Sequence, residues 1–183
     1  MNGARGQAGH SLVEMLVAMA VMALVMAATL SMLQAGLAAS GWGTARIEAQ
    51  QAVRIALERL ARELRDAGYD PTSARLGAVV VAEPARVVFV RDLNGNGVID
   101  PTHERVTWVL RAGETTLRRD AGAGAQPVAE GVRRFQLSYL DDEGAPTSEP
   151  ARVVSVRIEI EAGRTGGEAI MATQVLLRNA PLW

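Results

Sequence analysis

One carboxylate stands near the start of a long apolar segment, where an ionisable side chain has few ways to be satisfied. Glu14 closes the stretch Gly9-His10-Ser11-Leu12-Val13-Glu14, and an uncharged run follows it from residue 15 to residue 45. An ionised side chain inside a bilayer is costly, and such residues usually serve a function. We therefore expect Glu14 to pair with a positive charge. The alternative is an acid that is merely tolerated near the membrane surface.

A second group of oxygen-bearing side chains lies in residues 92–100. Oxygen side chains at loop positions 1, 3, 5 and 9, with glycine at position 6, match the first part of an EF-hand calcium loop. The acid expected at position 12 is replaced by His103, and Glu104 follows one place later. The ligands of a bound Ca²⁺ would be the side chains of Asp92, Asn94, Asn96, Asp100 and Glu104 and the carbonyl of Val98. The alternative is a hairpin turn that uses Asn and Gly only for their positive φ angles.

Composition argues against an enzyme and against a nucleic-acid partner. The chain has 183 residues, no cysteine, two histidines and a net charge of −1. No spacing suggests a nucleophile, a base and an orienting group together, so we expect no catalytic site. The basic pair Arg133-Arg134 is expected to lie on a solvated strand edge rather than in a patch that contacts phosphates. No cofactor other than Ca²⁺ is indicated.

The amino-terminal third predicts a leader followed by two kinds of helix. Residues 1–9 are short and polar, and residues 10–34 contain about the 20 apolar residues that a membrane-spanning helix needs. Residues 35–68 are expected to extend this helix, with Gly68 as its stop. A secretory signal peptide with a stray acid and a plain membrane anchor are the alternatives.

The helix extension has one apolar stripe and one charged face. Apolar residues recur three and four positions apart, which predicts an amphipathic helix. The stripe consists of Ala49, Val53, Leu57, Leu60, Leu64 and Ala67. On the solvated face, Glu58 and Arg62, and likewise Arg59 and Glu63, are four residues apart and suited to ion pairs.

Residues 69–183 change to a period of two with many β-branched residues, which predicts strands. Val154, Val156, Ile158 and Ile160 alternate with polar residues, as in a half-buried antiparallel strand. The predicted strands cover residues 76–82, 86–91, 105–110, 115–119, 132–140, 152–161 and 168–177. The apolar face of this sheet must be covered, and the helix stripe is free to cover it. The sequence therefore predicts an α+β fold in which a long amino-terminal helix packs on an antiparallel sheet.

The amino-terminal residues resemble the leader and first helix of type IV pilins and type II secretion pseudopilins. In that family a polar leader ends in Gly, and Ser/Thr, Leu, Val/Ile and Glu precede about twenty apolar residues. The resemblance implies cleavage after Gly9, N-methylation of the new amino terminus at His10, and pairing of Glu14 with the amine of a neighbouring subunit. The family usually has phenylalanine at the position of His10. The hairpin-rich body, residues 92–97 and the closing Leu177-Arg178-Asn179 resemble PilW-type minor pilins and J-type pseudopilins.

The resemblance implies a structural subunit that helps to initiate a type IV pilus or a type II secretion pseudopilus. Its partners would be a prepilin peptidase, other minor pilins or pseudopilins, an inner-membrane assembly platform and membrane lipid. The chain would cross the bacterial inner membrane once, with its carboxyl-terminal domain in the periplasm. The alternative is a competence-type minor pilin that binds DNA or another extracellular ligand, which a basic cluster on one tip of the body would favour.

Overall fold

A computed structural model of the protein describes residues 11–163 and 168–180, without the side chains of residues 39–46. The chain forms two compact units, Met1–Trp42 and Gly43–Trp183. Helix α1 (Leu12–Arg65) contributes residues to both. The predicted leader, residues 1–9, and His10 lie outside the described residues.

The first unit contains the apolar part of α1. Its segment Leu12–Ala38 is long and apolar enough to cross a membrane, with a mean hydropathy of 2.4 and no buried residues in that window. The Thr29 hydroxyl donates to the helix carbonyls of Val25 (3.1 Å) and Met26 (2.9 Å), and the Ser31 hydroxyl also bonds within the helix. Because these polar groups are satisfied locally, the segment exposes leucine, valine and methionine in a manner that suits lipid.

In the second unit, α1 turns one apolar face toward the strands. The buried apolar positions of this part are Val53, Ala56, Leu60, Ala61 and Leu64. The predicted stripe is confirmed at Val53, Leu60 and Leu64, whereas Leu57 is only partly buried. These buried residues recur mainly three and four positions apart, so they form one face of the helix, as in other amphipathic helices.

The helix ends at Arg65, three residues before the predicted stop at Gly68. Gly68 has a φ of +74°, which glycine adopts without steric cost, and its N–H donates to the carbonyl of Val90 at 2.8 Å. A Cβ at this position would lie 2.7 Å from the Ala78 Cβ and 2.8 Å from the Asn179 carbonyl oxygen. Glycine is therefore required here for conformation and for close packing.

The described residues of the body form eight strands in two antiparallel sheets. Sheet A is a meander of β1 (Val79–Glu83), β2 (Arg86–Val90), β3 (Arg105–Val109), β4 (Leu117–Asp120) and β5 (Gln126–Ala129). Sheet B consists of β6 (Val132–Leu140), β7 (Ser155–Ala162) and β8 (Ala169–Leu176), and a short 3-10 helix (Pro150–Arg152) precedes β7. The prediction of an α+β fold with antiparallel strands is confirmed.

One hydrophobic core joins α1 to both sheets. Phe89 and Trp108 of sheet A and Ile158 and Ile160 of sheet B are buried in the same cluster as Leu60 of the helix. Burial of a side chain such as Phe89 stabilises the fold by roughly 1.5–3 kcal/mol. The two sheets also meet through the Tyr139 hydroxyl, described below.

The body differs from the predicted single sheet in two respects. There are two sheets, and β5 was not predicted, because its Pro and Ala lack the β-branched pattern that marks the other strands.

The first strand begins at Val79 rather than residue 76. Ser73 and Arg75, just before it, have positive φ angles of 56° and 60°, which interrupt an extended backbone.

Candidate functional site

The described part of the amino-terminal motif forms the first turn of α1. The carbonyl of Ser11 accepts the N–H of Glu14 at 2.9 Å and that of Met15 at 3.2 Å. Glu14 therefore lies where the free N–H groups of the helix give a partial positive charge, which favours a carboxylate. Its side chain is exposed. Gly9 and His10, the predicted cleavage position and new amino terminus, lie outside the described residues.

Glu14 is the one charged residue of the segment Leu12–Ala38. Among the described residues no basic side chain forms an ion pair with it, since every described ion pair lies within the body. The side chain is thus stabilised by the helix end alone in this part of the structure. Its pairing with the amine of His10 in another subunit stays a prediction.

The second predicted site is the connection between β2 and β3, residues 91–104, which we call the Asp92 loop. It lies between two paired strands, as predicted, with Val90 opposite Arg105. The Arg91 N–H donates to the Glu104 carbonyl at 3.0 Å, which closes the base of the loop. The Asp92 N–H donates to the Tyr69 carbonyl at 2.8 Å and attaches the loop to the segment after α1.

Asp92 is fully buried and its carboxylate holds the first half of the loop. Its Oδ1 accepts the N–H groups of Gly95 (2.7 Å) and Asn96 (3.2 Å), and its Oδ2 accepts that of Gly97 (2.8 Å). Gly95 and Gly97 have φ angles of +70° and +74°, which direct these N–H groups inward. Hydrogen bonds from backbone N–H to an ionised carboxylate are stronger than neutral ones.

Glu104 accepts backbone N–H groups from both ends of the loop and is only 1% exposed. Its Oε1 accepts the N–H groups of Leu93 (2.8 Å) and Asn94 (3.1 Å), and its Oε2 accepts that of Asp100 (2.8 Å). Sequence reasoning placed Glu104 only as a late sixth ligand. Its burial, and its role as an acceptor for backbone groups ten and eleven residues away, give no local signal in the sequence.

The other predicted ligands form short turns along the loop. Asn94 Oδ1 accepts the N–H of Asn96 at 2.9 Å, and Asn96 Oδ1 accepts that of Val98 at 2.8 Å. Asp100 Oδ1 accepts the N–H of Thr102 at 2.8 Å and also bonds to its hydroxyl. These two bonds from Thr102 lower the pKa of Asp100 below its usual value, with a smaller effect from His103. The chain itself therefore satisfies much of the loop's acceptor capacity.

The six candidate calcium ligands all lie in the Asp92 loop. Within the described residues, no three side chains of His, Cys, Asp or Glu come together as a metal-ligand group. The donor chemistry still fits a hard cation, because carboxylate, amide and carbonyl oxygens are the ligands that Ca²⁺ takes. Calcium binding would need the amide oxygens of Asn94 and Asn96 in addition to the acids.

A buried carboxylate on α1 forms a polar centre that sequence reasoning placed wrongly. Glu63 was assigned to the solvated face, yet its side chain is 11% exposed. Trp108 Nε1 donates to Glu63 Oε2 at 2.9 Å, and Arg119 Nε donates to both carboxylate oxygens at 2.8 and 3.0 Å. The predicted pair with Arg59 is present at 3.4 Å. In the sequence, the burial of Glu63 was indicated only by its spacing, because it follows the buried Leu60 by three residues and so lies on the same helix face.

The other predicted helix pair is replaced. Glu58 is 3.3 Å from Arg54 rather than paired with Arg62, and both side chains of that pair are largely exposed. Exposed pairs of this kind contribute little, about 0.3–0.5 kcal/mol. We call Glu63 with Trp108, Arg119 and Arg59 the Glu63 cluster. It joins α1 to sheet A through side chains that are distant in sequence.

The remaining polar groups do not converge on a reactive pair. Arg133 bonds to Glu168, and Arg134 lies 3.7 Å from Glu159, so each member of the basic pair has an acidic partner. The Tyr139 hydroxyl bonds to the carbonyls of Glu83 (2.8 Å) and Arg86 (3.1 Å) and links the two sheets. Burial raises the pKa of Tyr139 well above its usual value.

One open groove of the body, of about 700 Å³, is lined by Glu48, Glu130 and Arg133 together with small residues. No histidine is among the described residues that line it, and His103 is exposed at the surface beside Asp100.

Comparison with known proteins concerns the amino terminus. The family model described as the prokaryotic N-terminal methylation motif matches residues 4–30. No curated protein matches the chain. The motif marks the chain as a pilin-like substrate of a prepilin peptidase and implies assembly with other pilins. The match spans Gly9, His10 and Glu14 and the first part of the apolar helix. Together with that helix and the antiparallel α+β body, the matched motif supports a relationship to the type IV pilins and pseudopilins.

Proposed function

We propose that this protein is a minor pilin or pseudopilin that helps to initiate assembly of a type IV pilus or a type II secretion pseudopilus. The single observation that carries the proposal is Glu14, an exposed carboxylate in the first turn of an otherwise uncharged helix within a matched methylation motif. Inside a bilayer such a carboxylate is costly unless a positive charge pairs with it. A processed amino terminus on a neighbouring subunit would supply that charge.

The proposed sequence of events follows from the order of residues along the chain. Cleavage between Gly9 and His10 creates an amine close to the start of α1. The apolar segment keeps the subunit in the inner membrane, with the body in the periplasm, until partners are available. Pairing of the amine with Glu14 of an adjacent subunit then fixes the axial stagger and neutralises both charges. An assembly platform and its motor would supply the work, and this chain would supply packing surfaces.

The two adjacent arginine pairs of the body do not favour the competence-type alternative. DNA binding requires basic side chains that are free to contact phosphates. The adjacent pairs Arg118-Arg119 and Arg133-Arg134 each have acidic partners, namely Glu114, Glu63, Glu168 and Glu159. The body therefore lacks, among its described residues at these two positions, the unpaired arginines that such a partner needs.

Processing is tested by substitution at the cleavage position. Gly9→Val should leave an uncut precursor in the membrane of a host with active prepilin peptidase, because a branched side chain must enter a site suited to glycine. Gly6→Val, three residues earlier in the same leader, is the matched control and should be cut normally. Mass spectrometry of the purified protein identifies the amino terminus. A wild-type protein that still begins at Met1 in that host would contradict the proposal.

We propose calcium binding by the Asp92 loop as a separate property. The support is the set of oxygen side chains on Asp92, Asn94, Asn96, Asp100 and Glu104, with the Val98 carbonyl between them. The plain-turn alternative is supported by the six backbone N–H groups that Asp92 and Glu104 already accept. The two alternatives differ in whether the loop is more stable with the ion than without it.

A further inference from the structure

Two Asn-Gly pairs follow each other directly in the Asp92 loop. They are Asn94-Gly95 and Asn96-Gly97, and the described part of the chain contains no other Asn-Gly pair. Asparagine is a thermolabile residue. Its side-chain amide is attacked by the backbone nitrogen of the next residue, and glycine leaves that nitrogen unhindered because it has no Cβ. Both asparagine side chains are exposed, so the local sequence favours deamidation at both positions.

Deamidation uses one particular nitrogen for each asparagine. At the first pair, the Gly95 nitrogen gives up its proton and bonds to Asn94 Cγ, the Cγ–Nδ2 bond breaks, and Nδ2 leaves with a proton as ammonia. Water then opens the resulting succinimide ring, which yields aspartate or isoaspartate. The Gly97 nitrogen is the corresponding nucleophile for Asn96. The reaction consumes only water.

Both of these nitrogens are bound to the same buried carboxylate. The Gly95 N–H donates to Asp92 Oδ1 at 2.7 Å, and the Gly97 N–H donates to Asp92 Oδ2 at 2.8 Å. Asp92 is fully buried. Negative charge that develops on either nitrogen would lie against the carboxylate, and this repulsion opposes loss of the proton. Each nitrogen is therefore held back from reaction while its bond to Asp92 lasts.

The two amides that would be attacked are bound as well. Asn94 Oδ1 accepts the N–H of Asn96 at 2.9 Å, and Asn96 Oδ1 accepts that of Val98 at 2.8 Å. These bonds restrict the side-chain rotation that brings Cγ to the next backbone nitrogen. The loop thus contains two reactive pairs together with the contacts that restrain them.

We propose that Asn94 and Asn96 are modification sites that deamidate when the loop opens, and that Asp92 protects them while the loop is closed. Asp92 acts here as a positioning residue, because it binds the attacking nitrogens and takes no part in the bonds that change. Each deamidation adds a carboxylate to the exposed side of the loop. The proposal depends neither on a bound ion nor on the role of the protein in a filament.

Incubation of the full chain at alkaline pH, in detergent micelles and chelator, tests the proposal. Mass spectrometry of the peptides that contain Asn94 and Asn96 follows the conversion of each amide. Both sites should deamidate at least about tenfold more slowly in the folded protein than in the same chain in urea, because a hydrogen bond to a charged group must break first.

Asp92→Asn separates the effect of the carboxylate from that of folding. An amide has a single accepting oxygen, and we expect it to keep the N–H groups of Gly95 and Asn96, which share one oxygen in the wild type. The Gly97 N–H then loses its acceptor. Asn96 should consequently deamidate at least about tenfold faster than in the wild type, and faster than Asn94.

Asp100→Asn is the matched control, because it makes the same change in the same loop. Asp100 binds neither glycine nitrogen, and its Oδ1 accepts the N–H of Thr102 instead. The new asparagine would precede Pro101, whose nitrogen has no proton to lose. Deamidation at Asn94 and Asn96 should stay at the wild-type rate. Circular dichroism on heating checks that both variants remain folded.

Hydrogen exchange of the wild type decides the matter if the Asp92→Asn protein does not fold. Exchange and deamidation at Gly95 and Gly97 need the same bonds to open, so both N–H groups should be protected by about the factor that slows deamidation.

Three results would overturn the proposal. The first is a folded wild type that deamidates as fast as the chain in urea. The second is a folded Asp92→Asn protein in which neither site reacts faster than in Asp100→Asn, and a slower reaction would make the carboxylate a general base. The third is free hydrogen exchange at Gly95 and Gly97 in the wild type, since Asp92 would then hold neither nitrogen.

Discussion

Two kinds of carboxylate occur in this molecule, and they are stabilised in opposite ways. In the body, Asp92 and Glu104 are buried and together accept six backbone N–H groups from their own loop. In the apolar helix, Glu14 is exposed, and among the described residues only the first turn of α1 stabilises its carboxylate. The loop acids thus complete a structure within one chain, whereas in the proposed function Glu14 leaves a requirement that another chain would meet.

The largest expected effect on the stability of the body comes from removing a loop acid. Glu104→Ala leaves the N–H groups of Leu93, Asn94 and Asp100 without their acceptor. We expect a loss of about 3 kcal/mol in the free energy of unfolding, because the three donors are only part-buried and each unsatisfied donor then costs near the lower end of about 1–3 kcal/mol. Urea unfolding of the second compact unit, beginning at Gly43, measures it.

Glu104→Gln is the control for that measurement, because it preserves the shape and one accepting oxygen, and it should lose less. A Glu104→Ala protein that unfolds at the same urea concentration as the wild type would show that water replaces the carboxylate. The loop acids would then contribute no more to the stability of the body than Glu14 does.

A smaller effect is expected from calcium. If the Asp92 loop binds the ion, saturation at about 100 times the dissociation constant should stabilise the body by about 2.7 kcal/mol. The unit beginning at Gly43 should then melt at a higher temperature in excess calcium than in chelator. Asn96→Ala should remove most of the difference, because an amide ligand is lost while both buried acids remain.

Asn179→Ala is a matched control outside the loop and should keep the calcium response, although it loses the Asn179 amide bond to the Ala67 carbonyl. Equal melting temperatures in calcium and chelator would leave the loop as a hairpin turn closed by its own N–H groups. The comparison with Glu14 would then become sharper, because the loop acids would need no partner of any kind.

The smallest effect on stability, and the largest on assembly, is expected at Glu14. Glu14→Ala removes an acid that costs at least about 2.5 kcal/mol at a bilayer centre, so insertion and cleavage should proceed. The body should unfold as the wild type does, because Glu14 belongs to the first compact unit and the body to the second. Co-purification with partner pilins from detergent-solubilised membranes should fall sharply.

Gln34→Ala is the control for this substitution, since it changes a polar residue of the same helix without removing charge, and it should be incorporated normally. If Glu14→Ala protein joins its partners and supports piliation or secretion as the wild type does, the acid is not an assembly contact. Glu14 would then resemble a tolerated surface acid, and the contrast between the two regions would lose its functional meaning.

Local periodicity predicted much of the fold because it reports on neighbouring residues. The alternation of Val156, Ile158 and Ile160 predicted β7, and the spacing of Val53, Leu60 and Leu64 predicted the buried face of α1. The hairpin that contains the Asp92 loop was predicted from the same kind of pattern. Strand β5 was not predicted because its residues, which include Pro127, show no such alternation.

Contacts between distant residues could not be read in this way. Glu63 meets Arg119 across 56 positions and Trp108 across 45, so helix spacing could indicate its burial but not the partners that its carboxylate finds there. Glu104 was recognised as an oxygen donor, but its role as an acceptor for the loop backbone depends on how residues 93–100 turn. The division of the strands into two sheets likewise follows from packing rather than pattern.

The Glu63 cluster also bears on how the body would respond to mechanical tension. Trp108 and Arg119 both donate to one carboxylate, so we expect a pull on α1 relative to sheet A to strain their hydrogen bonds together rather than one after another. Bonds that are strained together share the load. Forced unfolding is governed by the rate of unfolding, so we expect this buried acid, beside the apolar core around Leu60 and Leu64, to lengthen the time for which α1 stays packed on sheet A under tension.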